Sequence, residues 1–417
     1  MKQTLFILLA LSLSLISYSQ TFTVNHITYE VISTVNNTVK TTDYDTAGGA
    51  TVNIPSTVTN SGITYTVTEI GATSFYNKQL LSISIPSGVT TIWNNAFQAN
   101  QLTSVTIPNS VNSIGVGAFR NNILTSVVIP NSITTIGESV FKYNQLTSIT
   151  IPSNITSIGQ SAFANNELTS VTIPNSVTNI DVGAFNDNQL TSINIPSSIT
   201  IINASVFANN QLTSVTIPNN ITSIGNSAFQ LNQLASVIIP NSVTSIANFA
   251  FYNNMLTSIN IPSSITSIGD GAFGNNSLNT VVSEGTTPPS ITTVGGFDTF
   301  GNRSIINLII PIGTTGVYVT DSGALWTGFN TVTEDASLSL DSFESVAGIT
   351  IISTINEIKI NYPSSIVLQE YVIYNLAGER IFKGSEKTIS KDFLTTGVYI
   401  LNASFNKGTI SKKFLVR

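Results

Sequence analysis

A 22-residue repeat restricts what this chain can fold into more than any other feature of its sequence. Residues 102–123 read LTSVTIPNSVNSIGVGAFRNNI, and the pattern returns without a break in register. A partial tenth copy begins at Leu278 and follows nine full copies, which begin at Leu80, Leu102, Leu124, Leu146, Leu168, Leu190, Leu212, Leu234 and Leu256. Because one such unit cannot bury its own apolar side chains, the period predicts a solenoid of stacked coils.

Each coil is expected to contain two short extended segments. In one copy, Val105 and Ile107 alternate with Ser104 and Thr106, which is the pattern of a strand with one buried face. A second extended segment is predicted over residues 111–114. Stacking then predicts a parallel sheet whose solvent face carries serine and threonine.

A tight turn is predicted after the second segment, followed by a single helical or 3-10 turn that carries a buried phenylalanine. The residue at this point is usually glycine, and Asp181 and Asn203 replace it in two coils. Glycine, aspartate and asparagine tolerate positive φ, so the left-handed conformation is expected in these coils, but not in every coil, because Trp93 and Ala247 occupy the position in two others. The glycines are Gly115, Gly137, Gly159, Gly225 and Gly269.

A phenylalanine recurs once in each repeat, and from Phe97 onward an asparagine follows this phenylalanine three residues later. One interpretation is glycosylation or ligand binding. The favoured interpretation is an internal ladder, in which each side-chain amide bonds the loop backbone of its own and the adjacent coil. The column consists of Asn100, Asn122, Asn144, Asn166, Asn188, Asn210, Asn232, Asn254 and Asn276.

The charge content excludes several classes of function. Only 9% of the residues are charged, and the net charge is −6, which is opposite to the footprint of a nucleic-acid binder. The chain has no cysteine and a single histidine, His26, so thiolate and histidine-cluster metal sites are excluded and no cofactor is expected. Glu138 and Glu167 lie more than one repeat apart, and no nucleophile has an evident base, so an enzyme is not expected.

The first residues are predicted to direct export. Lys2 precedes an apolar stretch over residues 5–16, and Ser17 and Ser19 provide small residues for cleavage. Residues 1–19 are therefore expected to be a signal peptide, and no later run is long enough for a transmembrane helix.

The repeat resembles the BspA-like leucine-rich repeats of bacterial surface proteins, with the pattern L-x-x-V-x-I-P-x-x-V-x-x-I-G-x-x-A-F-x-x-C. In this sequence asparagine stands in the cysteine column. The resemblance implies a mainly β fold, a curved leucine-rich-repeat solenoid with a parallel β-sheet on its concave side and short helical turns.

The composition changes near Ser337, and lysine and arginine become frequent. Runs of β-type residues in this segment suggest a small β-sandwich. The segment resembles the C-terminal sorting domain of the type IX secretion system of Bacteroidetes. The matching residues are Ile373-Tyr374-Asn375, Gly378, Gly397-Val398-Tyr399 and the basic tail, residues 412–417. The resemblance implies export machinery as a partner and a secreted or outer-surface location.

Five segments are expected in total. They are a signal peptide at 1–19, an N-terminal cap with an irregular first repeat at 20–79, the array at 80–282, a C-terminal capping unit at 283–335 and the sorting domain at 336–417. Trp326 is expected to serve the cap, because the open end of a solenoid must be covered.

Binding of an extracellular protein or polysaccharide is the favoured function, through the exposed positions of the first strand. Few of these residues are charged or aromatic, which predicts weak, distributed contacts. The candidate residues are Ser104, Thr106, Ser126, Val128, Ser148, Thr150, Ser170, Thr172, Ser192, Asn194, Ser214, Thr216, Ser236 and Ile238.

Three alternatives stay open. The uniform coils also suit a structural spacer or surface-layer component, and a regular Ser/Thr array could bind ice or a mineral surface. Trp93, Tyr143, Phe249 and Tyr252 depart from the repeat and could mark a carbohydrate patch, although they occupy several columns and scatter is the favoured interpretation.

Overall fold

The structure is a computed structural model that describes residues 20–291, 297–335, 338 and 349–416, apart from 355, 365, 376–378 and 407. The predicted signal peptide, Gly378 and Arg417 lie outside the described residues. The chain forms two compact units, of which the first ends at Leu168 and the second begins at Thr169. Both consist mainly of β-structure, and parallel coils are stacked in each, as predicted.

The first unit begins with antiparallel hairpins. Asn25 and His26, and then Ser61 and Gly62, have positive φ in two-residue turns that join β1 to β2 and β5 to β6. Such turns match the twist of paired strands. A 3-10 turn lies at Thr46–Gly48. The strands are β1 (Thr21–Val24), β2 (Ile27–Ser33), β3 (Thr38–Tyr44), β4 (Thr51–Asn53), β5 (Thr57–Asn60) and β6 (Ile63–Ile70).

The coils of the first unit continue from these hairpins by parallel pairing. β4 pairs with β7, β6 pairs with β8, β8 pairs with β9, and β10 pairs with β11. The strands are very short because each coil turns away after two or three residues. They are β7 (Ser82–Ser84), β8 (Thr91–Ile92), β9 (Ser113–Ile114), β10 (Thr135–Ile136) and β11 (Ser157–Ile158). The second extended segment predicted at residues 111–114 is thus present over its last two residues as β9, whereas the first, residues 104–107, forms no strand and only an isolated bridge at Thr106.

The second unit repeats this arrangement with a longer continuous ladder, β14-β16-β17-β19-β21. A 3-10 turn at Arg303–Ile305 and a π-helical turn at Gly316–Thr320 follow the last coils. The strands are β12 (Asn179–Ile180), β13 (Ser192–Asn194), β14 (Ile201–Ile202), β15 (Ser214–Thr216), β16 (Ser223–Ile224), β17 (Ser245–Ile246), β18 (Ser258–Ile261), β19 (Ser267–Ile268), β20 (Thr280–Ser283), β21 (Ser290–Ile291), β22 (Asn307–Pro311) and β23 (Thr331–Asp335).

The C-terminal strands form two antiparallel sheets, β24-β25-β28 and β27-β26-β29-β30, which share one apolar core. Tyr399 of the Gly-Val-Tyr motif is buried in this core, donates its hydroxyl to the carbonyl of Thr395 at 3.0 Å and stacks on Phe414 at 5.7 Å. The strands are β24 (Thr350–Ser353), β25 (Glu357–Asn361), β26 (Leu368–Asn375), β27 (Arg380–Gly384), β28 (Thr388–Ser390), β29 (Gly397–Phe405) and β30 (Gly408–Val416).

A column of stacked phenylalanine rings forms the centre of the coils. In the first unit the rings of Phe75 and Phe97 lie 5.4 Å apart, and Tyr44 packs on Phe75 at 5.6 Å. In the second unit the ring centroids of successive coils are 5.3–6.0 Å apart. The rings are nearly parallel because successive coils place the same residue in the same environment, and this spacing is typical of offset aromatic stacking.

The second unit's column ends on larger rings. Phe300 extends the stack from Phe273 at 5.9 Å, and Trp326 packs on Phe300 at 5.1 Å. The indole N–H of Trp326 donates to the carbonyl of Pro289 at 3.0 Å, so the ring is buried with its polar atom satisfied. Tyr318 contacts the indole edge-on at 5.4 Å.

The asparagine column is an internal ladder, and this favoured interpretation is confirmed. The amide nitrogen of Asn122 donates to the carbonyls of Phe97 and Phe119, at 2.9 and 3.1 Å, and its oxygen accepts from the backbone N–H of Leu102 at 3.1 Å. Asn210 repeats the pattern in the second unit with Phe185, Phe207 and Leu190. These amides are buried, so their function is to satisfy the turn backbone and not to bind a ligand or a glycan.

The prediction that the glycine after the second segment has positive φ is wrong. The left-handed residues lie two positions later, at Gly117 and Ser139 for example. At Gly225 a different feature favours glycine, because an added Cβ would lie 2.7 Å from the backbone nitrogen of Ala204 in the preceding coil. The expected helical turn is a pair of hydrogen-bonded turns, in which Ala118 and Arg120 donate to Gly115 and Gly117.

Candidate functional site

All the predicted face residues of the first unit are exposed. Within each coil they alternate with buried residues such as Val105 and Ile107, as the period-two pattern requires. Thr106 and Val128 form an isolated parallel bridge between neighbouring coils. The exposed residues are Ser104, Thr106, Ser126, Val128, Ser148 and Thr150.

The second unit presents the same column. β13 pairs with β15 so that Ser192 lies opposite Ser214, and Asn194 lies opposite Thr216. Side chains opposite one another on parallel strands are about 4.8 Å apart, so each coil adds one more hydroxyl or amide to a row. The exposed residues are Ser170, Thr172, Ser192, Asn194, Ser214, Thr216, Ser236 and Ile238.

The row opens into a groove between two coils of the second unit. β15 does not continue its pairing to residues 236–238, which form no strand, and a groove of about 270 Å³ lies between the two segments. Ser214, Thr216 and Ser236 supply hydroxyls to the groove, and Ile238, which is 84% exposed, supplies an apolar surface. This groove could not be predicted, because these coils differ little in sequence from their neighbours.

The chemistry of the groove is that of a neutral binding surface. Its other lining residues are Asn219, Pro240, Ile217, Val237 and Val215 of β15, so no titratable side chain lines it. Hydroxyls and an amide both donate and accept hydrogen bonds, while the isoleucine can contact the apolar part of a ligand. Among the described residues, no group of three or more His, Asp or Glu side chains could hold a metal ion.

The acidic residues of the array occupy separate places. Asp181 accepts from the backbone N–H of Val182 at 2.7 Å, as expected of a residue that stabilises a turn. Asp187 accepts from the amides of Asn186 and Asn209. Glu138 and Glu167 are both exposed, and neither is among the ion pairs of the described chain.

The aromatic residues that depart from the repeat are not all scattered, so that interpretation is wrong for two of them. Phe249 and Tyr252 pack edge-to-face at 5.5 Å, and Phe297 joins them at 5.2 Å from the Phe249 ring. Phe297 lies outside the 22-residue period, so sequence spacing could not place it there. Trp93 stands apart and donates its indole N–H to Glu69 at 2.6 Å, and Tyr143 lies beside Arg120 and Lys142.

The stacked coils, the phenylalanine column and the asparagine ladder agree with a comparison against protein families. The profile described as "BspA type Leucine rich repeat region" matches residues 68–189 and 180–305 in six copies, which is more than half of the chain. The chain belongs to the BspA-type leucine-rich-repeat family. The matching family and the similar solved structures are leucine-rich-repeat proteins, and the comparisons indicate no catalytic family.

Two solved structures of leucine-rich-repeat proteins resemble this BspA-type chain. One is a leucine-rich-repeat protein from Bacteroides ovatus, with 24% identity over 76% of this chain and 79% of that one and a TM-score of 0.52. The other is a leucine-rich cell surface protein from Faecalibacterium prausnitzii, with 25% identity over 76% of this chain and 96% of that one and a TM-score of 0.51. No curated protein is similar enough to count as a relative.

Within the described ranges, no helix has the length and apolar character needed to cross a bilayer.

Proposed function

We propose that this BspA-type protein is a cell-surface or secreted binding protein, which contacts an extracellular protein or polysaccharide through its exposed Ser/Thr row. The groove beside β15 is the observation that supports this proposal most directly, since it gives the exposed row a concave surface that a ligand can enter. It combines three hydroxyls with one exposed apolar side chain, Ile238, and has no charge. The neighbour from Faecalibacterium prausnitzii is described as a cell surface protein, which is consistent with this location.

Weak contacts distributed along the row fit this surface better than one tight site. Tight interfaces depend on a few buried aromatic or arginine anchors, and the groove lining has neither. Repeated contacts that are individually weak gain strength when they engage one polymer together. The alternative is a spacer without a specific ligand, which the uniformity of the remaining coils favours.

Adding positive charge to the groove should abolish binding. We expect the triple variant Ser214→Lys, Thr216→Lys, Ser236→Lys to lose at least about tenfold in retention on an array of glycans and matrix proteins, because a lysine desolvated against a neutral ligand has no partner. The control is the triple variant Gln189→Lys, Gln211→Lys, Gln233→Lys, which adds the same charge at exposed positions that do not line the groove. If the groove variant and the parent are retained equally, or if the parent binds nothing, the spacer alternative is correct.

We further propose that the C-terminal β-domain is a type IX sorting domain. The burial of Tyr399 in the Gly-Val-Tyr motif and the pairing of β29 with β30 support a folded domain around the matching residues. Deleting residues 336–417 should leave the protein in the periplasm of its host, as measured by cell fractionation and surface proteolysis. Export of the truncated protein to the same level as the parent would contradict the sorting proposal.

A further inference from the structure

The two cations of the repeat array lie in one place. Between residues 80 and 277, Arg120 and Lys142 are the only lysine or arginine side chains. They occupy the same position in successive coils, immediately after the buried Phe119 and Phe141. This position belongs to the turn that follows the phenylalanine and not to the exposed Ser/Thr row. The pair of cations is therefore a separate feature from that row.

Tyr143 lies beside both cations, and its backbone has a left-handed conformation that is unfavourable for a residue with a large side chain. The Cζ atom of Arg120 lies 5.6 Å from the centroid of the Tyr143 ring, and the Nζ atom of Lys142 lies 5.2 Å from it. Tyr143 has φ of 57°, a left-handed conformation that asparagine adopts at this position in adjacent coils, for example Asn121. A tyrosine there costs about 1–2 kcal/mol more than a residue that tolerates this conformation, and such strain recurs at functional sites.

The cations are not neutralised within the described part of the chain. Neither Arg120 nor Lys142 is among the ion pairs that the described residues form. The Nε atom of Arg120 is inaccessible to solvent and has no hydrogen-bond partner. Tyr143 is 43% exposed, so its ring is open to a ligand beside the two charges. A protein with a net charge of −6 therefore carries a local, unpaired double positive charge next to an exposed aromatic ring.

We propose that Arg120, Lys142 and Tyr143 form a binding site for an acidic polysaccharide that contains uronic acid residues. The planar guanidinium matches a carboxylate in a two-point hydrogen-bonded contact, and the ammonium adds a second positive charge. The electron-rich face of the tyrosine ring packs on the C–H face of the sugar. Gln98 and Asn121, which flank the site along the coils, supply amides that can bond sugar hydroxyls.

The surroundings favour a glycan over a protein surface as the occupant. A specific protein interface buries on the order of 800 Å² on each partner around an apolar centre. The neighbours of this site in the adjacent coils are glutamine, asparagine and alanine, which provide no apolar centre of that size. A polysaccharide needs a smaller surface than a protein does. Each sugar residue that contacts the coils requires only one aromatic ring to pack on and a few polar contacts.

The test measures the affinity of the full chain for polygalacturonate, with dextran as the neutral comparison. We expect the parent to bind polygalacturonate and not dextran. Arg120→Gln, Lys142→Gln should weaken this binding at least about tenfold, whereas Lys359→Gln, Lys383→Gln, which removes the same charge from two exposed positions, should bind as the parent does. No binding by the parent, or an equal loss in both pairs, would overturn the proposal.

A second variant separates this site from a structural role of the tyrosine. Tyr143→Asn restores the residue that tolerates the left-handed backbone, so the midpoint of thermal unfolding should stay the same or rise. Binding of polygalacturonate should nevertheless fall at least about tenfold, because the stacking surface is lost. Unchanged binding in this variant would show that charge alone attracts the polymer and would exclude the assigned site.

Discussion

Replacing Phe229 with alanine is expected to lower the free energy of unfolding by about 3–5 kcal/mol, which is typical of removing a fully buried aromatic side chain. The Phe229 ring has no exposed surface, and it stacks on Phe207 at 5.7 Å and on Phe251 at 5.3 Å. Its loss leaves a cavity in the centre of the coil and removes both stacking contacts. Denaturation by urea, followed by circular dichroism, measures the change.

The position within the column spreads this effect over two neighbouring coils. Coils of a solenoid are stabilised mainly by their nearest neighbours, so a defect at Phe229 weakens two coil interfaces at once. Phe297→Ala provides the control, because this ring is 49% exposed and lies outside the column. Equal, small losses in the two variants would show that the phenylalanine column is not the main source of stability.

The repeat architecture could be predicted from the sequence because every coil obeys the same rule. Val105 and Ile107 had to share a buried face, and Asn122 had to satisfy backbone groups in a turn, since the same residue types recur in the same places. The structure confirms the coils, the parallel pairing and the internal asparagine ladder. Because the same residue types recur in every coil, the environment of each position can be predicted even where the strands are short.

The role of the glycines could not be predicted in the same way. Glycine is compatible both with positive φ and with close approach of a neighbouring backbone, and a sequence does not distinguish these reasons. At Gly225 the reason is the approach of Ala204, one coil earlier, while the left-handed conformation belongs to Ser227. Only the relative placement of two coils decides between them.

The candidate site was predictable only in part. Alternation placed Ser214, Thr216 and Ser236 on the exposed side, and the structure has them there. The groove between them depends on where pairing from β15 stops, which results from small differences between coils that have nearly the same sequence. Phe297 and Phe300 were missed for another reason, because they follow an insertion that ends the 22-residue spacing.

Asn122→Ala should cost about 3 kcal/mol of unfolding free energy, although the side chain removed is small and polar. The substitution leaves the N–H of Leu102 without a partner, whereas the carbonyls of Phe97 and Phe119 each lose one of two amide donors and keep the other, from Asn100 and Asn144. A buried N–H without a hydrogen bond costs about 1–3 kcal/mol, and each lost bond to a carbonyl that keeps another donor adds at most about 1 kcal/mol. Asn109→Ala in the same coil is the control, since Asn109 is exposed, and its effect should stay within about 0.5 kcal/mol.

Amide hydrogen exchange identifies the cause of that loss. In Asn122→Ala the amide of Leu102 should exchange faster than in the parent, while amides of distant coils keep their protection. Asn122→Asp retains an oxygen for Leu102 but turns a second oxygen toward the carbonyls of Phe97 and Phe119. Those carbonyls oppose ionisation, so the pKa of the new carboxyl should rise on folding. The Asp variant should therefore be most stable below the ordinary pKa of about 4 and lose stability as the pH rises through the higher folded value. A pH-independent defect, or exchange at Leu102 no faster than in Asn109→Ala, would contradict the role of the ladder.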